Sequence, residues 1–294
     1  MTTIKLTFLG TGAAIPTLKR GHTTLHIQYL GGSGRSILFD CGEGTQTNLI
    51  RAGINFMGID AIFITHWHAD HFIGLYGLLN SMGLEGRQKP VRIFGPHADK
   101  IGPKLLEFYK FPYAIEYYDT YRDGLVYNGE EFTIEAAKLK HTIDNVGYRL
   151  IEKGRLKLDK KLIKQIGLSG LECKELKENG KVTKNGKKIS LKDVSYKVPG
   201  KIFVYSGDTV YQKKMEKFAK DADILVHECT CFTKDDLQDK MHSSFEDILK
   251  LKGFAKKVYL VHIGRKYQSH EELQKEAAIY KNIFFAKDLE KIEI

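Results

Sequence analysis

At 294 residues, 42% hydrophobic and 28% charged, the chain has globular proportions that exclude wholesale disorder and suit one large domain or two modest ones. No stretch approaches the roughly 18 uninterrupted apolar residues of a membrane helix. The formal net charge of +10 is concentrated in one place: 16 basic and 6 acidic residues lie between Arg149 and Lys201, while the remainder balances at 30 of each sign.

The N-terminus runs straight into strand-like alternation at Lys5–Leu9, without the long apolar segment of a secretion signal, and Gly10-Thr-Gly12 then turns the chain. Ser36–Phe39 and Ile59–Ile64 are short apolar runs that read as buried strands. A helix-like stretch follows each, Thr45–Ala52 after the first and Phe72–Met82 after the second. Val91–Phe94, closed by Gly95-Pro96, and Phe132–Leu139 are further strands. Past Lys201 the scheme repeats, with strands at Ile202–Tyr205, Ile224–Val226 and Val258–Val261 and a helix over Phe245–Lys252. Strands alternating with helices predict a layered α/β fold.

The basic stretch is different in kind. Asn179-Gly180 and Asn185-Gly186 flank Lys181–Lys184, and such pairs are strong hairpin signals. With few large apolar residues for a core, it reads as an arm over 150–200, inserted in a single domain of 1–294. Its charge suits a polyanionic partner, the alternative being a solvated lysine-rich surface. The four cysteines (Cys41, Cys173, Cys229, Cys231) make no disulfide framework, and they read as reduced packing thiols of a cytoplasmic protein.

The most specific signal is Thr65-His66-Trp67-His68-Ala69-Asp70-His71, directly after the strand Ile59–Ile64. Three histidines and an aspartate within six residues offer imidazole nitrogens and a carboxylate oxygen suited to zinc. A turn leaving a strand can aim His66 and His68 at one metal while Asp70 and His71 face a second. His141 follows Phe132–Leu139, Asp208 follows Ile202–Tyr205 and His262 follows Val258–Val261, so each ligand-type residue stands at a strand's carboxyl end, where α/β proteins place their sites. His242 precedes Ser243-Ser-Phe-Glu246, which fits a capping box at a helix start. There it could contact a scissile phosphate or protonate a leaving oxygen. His227 and Glu228 read as supporting residues, and Asp40 as a hydrogen-bond partner of the metal loop.

These residues, in this order, resemble the metallo-β-lactamase superfamily. Within it, Phe8-Leu-Gly-Thr-Gly-Ala-Ala-Ile-Pro16, Leu38-Phe-Asp-Cys-Gly-Glu-Gly-Thr-Gln46, His227-Glu-Cys-Thr230, His242-Ser-Ser244 and His262-Ile-Gly-Arg-Lys-Tyr267 resemble the ribonuclease Z family of tRNA 3′-processing endonucleases. The resemblance implies a four-layered αββα metallo-β-lactamase sandwich with an inserted basic exosite arm. It implies two Zn2+ per subunit, or Mn2+ or other divalent ions in their place. His66, His68 and His141 would hold one ion and Asp70, His71 and His262 the other, with Asp208 bridging. Asp70 would also accept a proton, and His242 would be the second catalytic residue.

The implied reaction removes the 3′ trailer from precursor tRNA, leaving a 3′-hydroxyl on the tRNA and a 5′-phosphate on the trailer. The arm would grip the tRNA, and family members are homodimers. Two positions depart from the family pattern: Gly170-Leu171 stands where the arm commonly has Gly-Pro, and Pro16-Thr-Leu-Lys-Arg20-Gly21 keeps only the proline and arginine of P-x-K-x-R-N. A small-molecule hydrolase on the same fold, or an RNA-binding module with a structural metal site, remain alternatives at this point.

Overall fold

Runs of β-branched and aromatic residues form strands wherever glycine or polar corners bound them. The computed structural model describes residues 4–31, 34–237, 240–267 and 269–294. Its strands are β1 (Ile4–Gly10), β2 (Thr24–Tyr29), β3 (Ser36–Phe39), β4 (Ile59–Phe63), β5 (Val91–Gly95), β6 (Ile115–Asp119), β7 (Gly124–Asn128), β8 (Phe132–Leu139) and β9 (Asn145–Glu152). Four short strands follow, β10 (Arg155–Leu158), β11 (Lys181–Lys184), β12 (Lys187–Ser190) and β13 (Ser195–Val198). The chain then forms β14 (Ile202–Tyr205), β15 (Ala222–Glu228), β16 (Ala255–Val261), β17 (Ile283–Phe285) and β18 (Lys291–Glu293). Two compact units result, Met1–Ile151 with Ile202–Ile294, and Glu152–Lys201.

The larger unit holds two sheets, ordered β18-β1-β2-β3-β4-β5-β6 and β17-β16-β15-β14-β9-β8-β7. Period-2 alternation aims Ile37 and Phe39, Ala61 and Phe63, Phe203 and Tyr205, and Ile224 and Val226 into one shared core. The intervening Leu38, Ile62, Val204 and Leu225 face outward under helices, which is why these strands are apolar throughout. On one outer face lie α1 (Thr45–Arg51), α2 (Ala69–Phe72) and α3 (Gly74–Leu84), followed in the chain by α4 (Ala98–Leu105). The order helix, sheet, sheet, helix is completed after the smaller unit's α5 (Lys160–Ile166) and α6 (Gly170–Asn179) by α7 (Lys213–Phe218), α8 (Phe245–Ile248) and α9 (His270–Ala277) on the other face. This is the αββα sandwich. Among the described residues no helix is long and apolar enough to cross a membrane.

Two expected helices change shape. The Phe72–Met82 helix starts earlier, at Ala69, and restarts at Gly74, where a Cβ would lie 2.0 Å from the carbonyl oxygen of Gly42. Glycine there lets the histidine loop seat against the corner after β3. The helix expected over Phe245–Lys252 ends at Ile248, because the chain tightens into turns that bury Leu251. Its cap is Ser244 with Asp247, one residue beyond Ser243 and Glu246.

The smaller unit corrects the expectation that this stretch lacks a core. Leu168, Leu176, Val182 and Val194 are buried together, flanked by Leu158, Ile163, Ile166 and Ile189. Asn185-Gly186, both at positive φ, turns the β11–β12 hairpin, whereas Asn179-Gly180 ends α6 with Gly180 as its left-handed cap. Gly170-Leu171 opens α6 behind a Ser169–Glu172 capping box. The unit carries 15 basic and 6 acidic residues.

Phe39 is the packing hinge between the sheets, with ring centroids of Phe63, Tyr148 and Phe203 5.4, 5.7 and 5.4 Å away. Phe39→Ala is expected to cost about 3–5 kcal/mol of stability. Urea denaturation followed by tryptophan fluorescence and circular dichroism would measure it, and a loss below about 1 kcal/mol would contradict the packing argument.

Candidate metal centre

Parallel register brings the functional loops to one edge. Phe39 pairs with Phe63, so Asp40 and His66 leave the first sheet at one edge, and Tyr205 pairs with Val226 and Glu228 with Val261, so Asp208 and His262 leave the second at one edge. The structure brings together every residue expected there. His66, His68 and His141 form one group of potential ligands, and Asp70, His71, Asp208 and His262 a second. Asp208 Oδ2 lies between them, 3.2 Å from His71 Nε2, 3.0 Å from His262 Nε2 and 3.9 Å from His66 Nε2.

The hydrogen bonds behind each ring fix which nitrogen faces inward. Thr65 Oγ1 has one proton and donates it to Asp40, so it accepts from His66 Nδ1 at 3.0 Å and leaves the His66 Nε2 lone pair pointing into the cluster. His71 Nδ1 donates to Asp40 Oδ2 at 2.7 Å, and His141 Nδ1 donates to the Met241 carbonyl at 3.0 Å. Thr230 Oγ1 donates to Glu228 and accepts from His262 Nδ1 at 3.1 Å. The inward Nε2 atoms of His66 and His141 then meet His68 Nδ1 at 2.9 and 3.1 Å. Three ring nitrogens so close, with one proton at most among them, form a set that a cation satisfies. His71 Nε2 and Asp208 Oδ1 are likewise buried without an aligned hydrogen bond. The donor set and these orphaned atoms fit divalent ions.

Electrostatics agree. Burial, with His71 adding to it, pushes His66 well below the usual imidazole range, and burial also lowers His68 and His141. These rings stay neutral and ready to coordinate. Burial opposes a charged His71, yet Asp208 and Asp40 outweigh it and hold His71 well above its ordinary value. Burial would raise Asp70, but a hydrogen bond from His262 and the His71 ring 3.4 Å away hold it below the carboxylate range. An ion held by His71 would displace its extra proton.

Asp40 is a supporting residue, as expected. It is fully buried at φ 59°, and it accepts from Thr65 N at 2.7 Å as well as from His71. Asp40 and His262, both left-handed non-glycine residues, are strained positions held by the site. His242 stacks on His262 with centroids 5.2 Å apart, and its Nδ1 donates to Glu228 Oε1 at 2.9 Å. The two residues expected to support the site, His227 and Glu228, divide, because alternation along β15 turns them to opposite sides. Glu228 serves the site, while His227 Nδ1 lies 2.8 Å from the Glu228 carbonyl and its Nε2 is buried unpaired. Arg20 is buried, donating to Thr11 Oγ1 and to the Ala286 carbonyl, so it pins the opening loop. Thr65, Thr230 and Tyr205, whose hydroxyl donates to Asp40 Oδ2 at 2.7 Å, were not expected at the site. Thr65 carried a signal in its place beside His66, and Thr230 in the His227-Glu-Cys-Thr230 segment, while Tyr205 carried none.

Human tRNase Z, short form, shares the architecture with a TM-score of 0.67, 26% identity and coverage of 98% of each chain. The metallo-β-lactamase fold protein YhfI from Bacillus subtilis does so with a TM-score of 0.69, 20% identity and 99% of each chain covered. Fold and site thus define a metal-dependent enzyme of the metallo-β-lactamase fold. A family model described as Anti-Pycsar protein Apyc1 matches residues 4–100, which hold the first four of the seven ligand candidates. Ribonuclease Z of Bacillus anthracis is 34% identical over 307 residues, covering 99% of this chain and 99% of that protein. The chain belongs to the ribonuclease Z family, and it is a nuclease or phosphodiesterase.

Asp208→Ala removes an oxygen that approaches both groups. Divalent-metal affinity is expected to fall by more than the roughly 10–100-fold typical of losing a supporting residue. Elemental analysis after dialysis measures this, and full metal retention would refute the bridging position.

Proposed function

We propose that the protein is an endoribonuclease that removes the 3′ trailer from precursor tRNA, working with two divalent ions, zinc in the first instance. The observation that carries this reading is the pair of ligand groups meeting at Asp208, in a chain related over its full length to proteins named ribonuclease Z. His66, His68 and His141 would hold one ion, Asp70, His71 and His262 the other, and Asp208 both. When bound, such ions supply a nucleophile from water at neutral pH and neutralise charge on the phosphoryl group.

The chain's own residues do the remaining work. Asp70, ionised at neutral pH, accepts the proton of the attacking water, whose oxygen bonds to phosphorus in line with the departing 3′-oxygen. Glu228 holds His242 by Nδ1, leaving Nε2 to protonate that oxygen. The products are a tRNA with a 3′-hydroxyl and a trailer with a 5′-phosphate. The lysines of the 152–201 unit would bind tRNA phosphates, giving affinity and orientation without reading sequence. The exposed Ile50, Ile73, Tyr76 and Leu84 along α1 and α3 support pairing of two copies, which a sedimentation mass tests. The free thiols support a cytoplasmic setting.

Incubation with an end-labelled precursor tRNA, mapping the cut to the nucleotide, tests the whole reading. Cleavage of bis(p-nitrophenyl) phosphate without cleavage of precursor tRNA would favour a small phosphodiester as substrate. Activity on neither would leave a binding module.

His242→Ala is expected to keep its metal while the single-turnover rate falls about 10²–10⁴-fold. Loss of metal in this variant would make His242 a ligand instead. Replacing residues 152–201 by a short turn between Ile151 and Ile202, which pair across β9 and β14, should leave reporter hydrolysis intact. Precursor tRNA should bind much more weakly, and the slope of log affinity against log salt, about −0.9 per duplex phosphate contact, should flatten by about two to four. Unchanged affinity and slope would reduce the unit to a solvated lysine-rich surface.

A further inference from the structure

Asp40 Oδ2 serves two principal donors. His71 Nδ1 and Tyr205 Oη both lie 2.7 Å from it, while the Thr65 hydroxyl, 3.0 Å from each carboxylate oxygen, has one proton for the two. Asp40, Thr65 and His71 come from the first sheet and its loops, and Tyr205 comes from β14 of the second. Three residues after Tyr205 the same strand end delivers Asp208, whose Oδ2 faces the other nitrogen of His71. Between them Gly207, at φ 59°, packs so closely that a Cβ would sit 2.7 Å from Thr65 Cβ. One strand end therefore grips His71 from both sides, directly at Nε2 and through Asp40 at Nδ1.

We propose that Tyr205 is a positioning residue for the metal centre, its hydroxyl clamping the Asp40 carboxylate so that His71 presents Nε2 in the coordinating direction. The inference rests on the reading of His71 as a ligand. Rigid carboxylate support behind a coordinating histidine fixes ring orientation and basicity. Without the Tyr205 hydroxyl, Asp40 Oδ2 keeps only His71 and a shared Thr65 proton, and the carboxylate can rotate toward Thr65. Tyr205 also packs in the core, its ring centroid 6.2 Å from that of Phe39, so ring and hydroxyl need separate tests.

Tyr205→Phe separates them, since the ring stays and only the hydroxyl goes. Tyr148→Phe is the matched control. Tyr148 is equally buried on the adjacent β9, but its hydroxyl serves the Ile64 carbonyl and Thr120. Zinc affinity of each full-length protein is measured by competition with a chromophoric chelator, and the visible absorption bands are recorded after loading with Co2+. Tyr205→Phe is expected to lose about tenfold in affinity and to shift the Co2+ bands, with Tyr148→Phe matching the wild type in both. Unchanged or tighter binding with unaltered bands in Tyr205→Phe overturns the proposal, as does an equal change in Tyr148→Phe. If the wild type itself binds neither metal, the ligand reading fails, and this inference fails with it.

Discussion

A carboxylate sealed from water must be surrounded by donors, and the site is arranged around that requirement at Asp40. The backbone and hydroxyl of Thr65, the imidazole of His71 and the phenol of Tyr205 meet it together. Thr65 begins the histidine loop, His71 ends it, and Tyr205 belongs to the opposite sheet. Satisfying one charge therefore sets the path of the loop and the approach of the second sheet in the same stroke. The inward direction of the His66 and His71 lone pairs follows from it, because both rings give their outer proton to this hub or to the threonine bound to it.

The interior of the centre shows the opposite condition. Three ring nitrogens meet at 2.9 and 3.1 Å with at most one proton among them, and the carboxylates of Asp70 and Asp208 crowd the His71 and His262 nitrogens at 3.0–3.4 Å. Such an arrangement is unfavourable alone and favourable around cations. The surroundings are satisfied and rigid while the middle is left in need of positive charge, which is how preorganised ligand sets are built.

Much of this was legible in the residues themselves. The spacing of His66, His68, Asp70 and His71 after an apolar run announced the loop, and apolar runs ending in His141, Asp208 and His262 announced the convergence, because parallel strands must end on a common edge. What escaped had physical reasons. Tyr205 reads as one more aromatic in a buried strand, and its hydrogen bond depends on a partner 165 residues away. The edge strand Lys291–Glu293 and the strand Ile115–Asp119 are short or polar, with no apolar signature to find. In the basic stretch the heavy lysine content masked Leu168, Leu176, Val182 and Val194, which gather only because two capped helices fold back over a hairpin.

The ladder that pairs Lys5 with Glu293 and Thr7 with Lys291 has a bearing on how the molecule is made. During synthesis β1 keeps this edge open until β18, far later in the chain, is made. The candidate metal ligands are spread in the same way, from His66 to His262. A nascent chain thus presents a histidine-rich loop long before Asp208 and His262 exist to complete the site. Early in synthesis it can offer only part of the candidate ligand set, so tight metal binding through all seven residues would have to wait until the chain is made past His262.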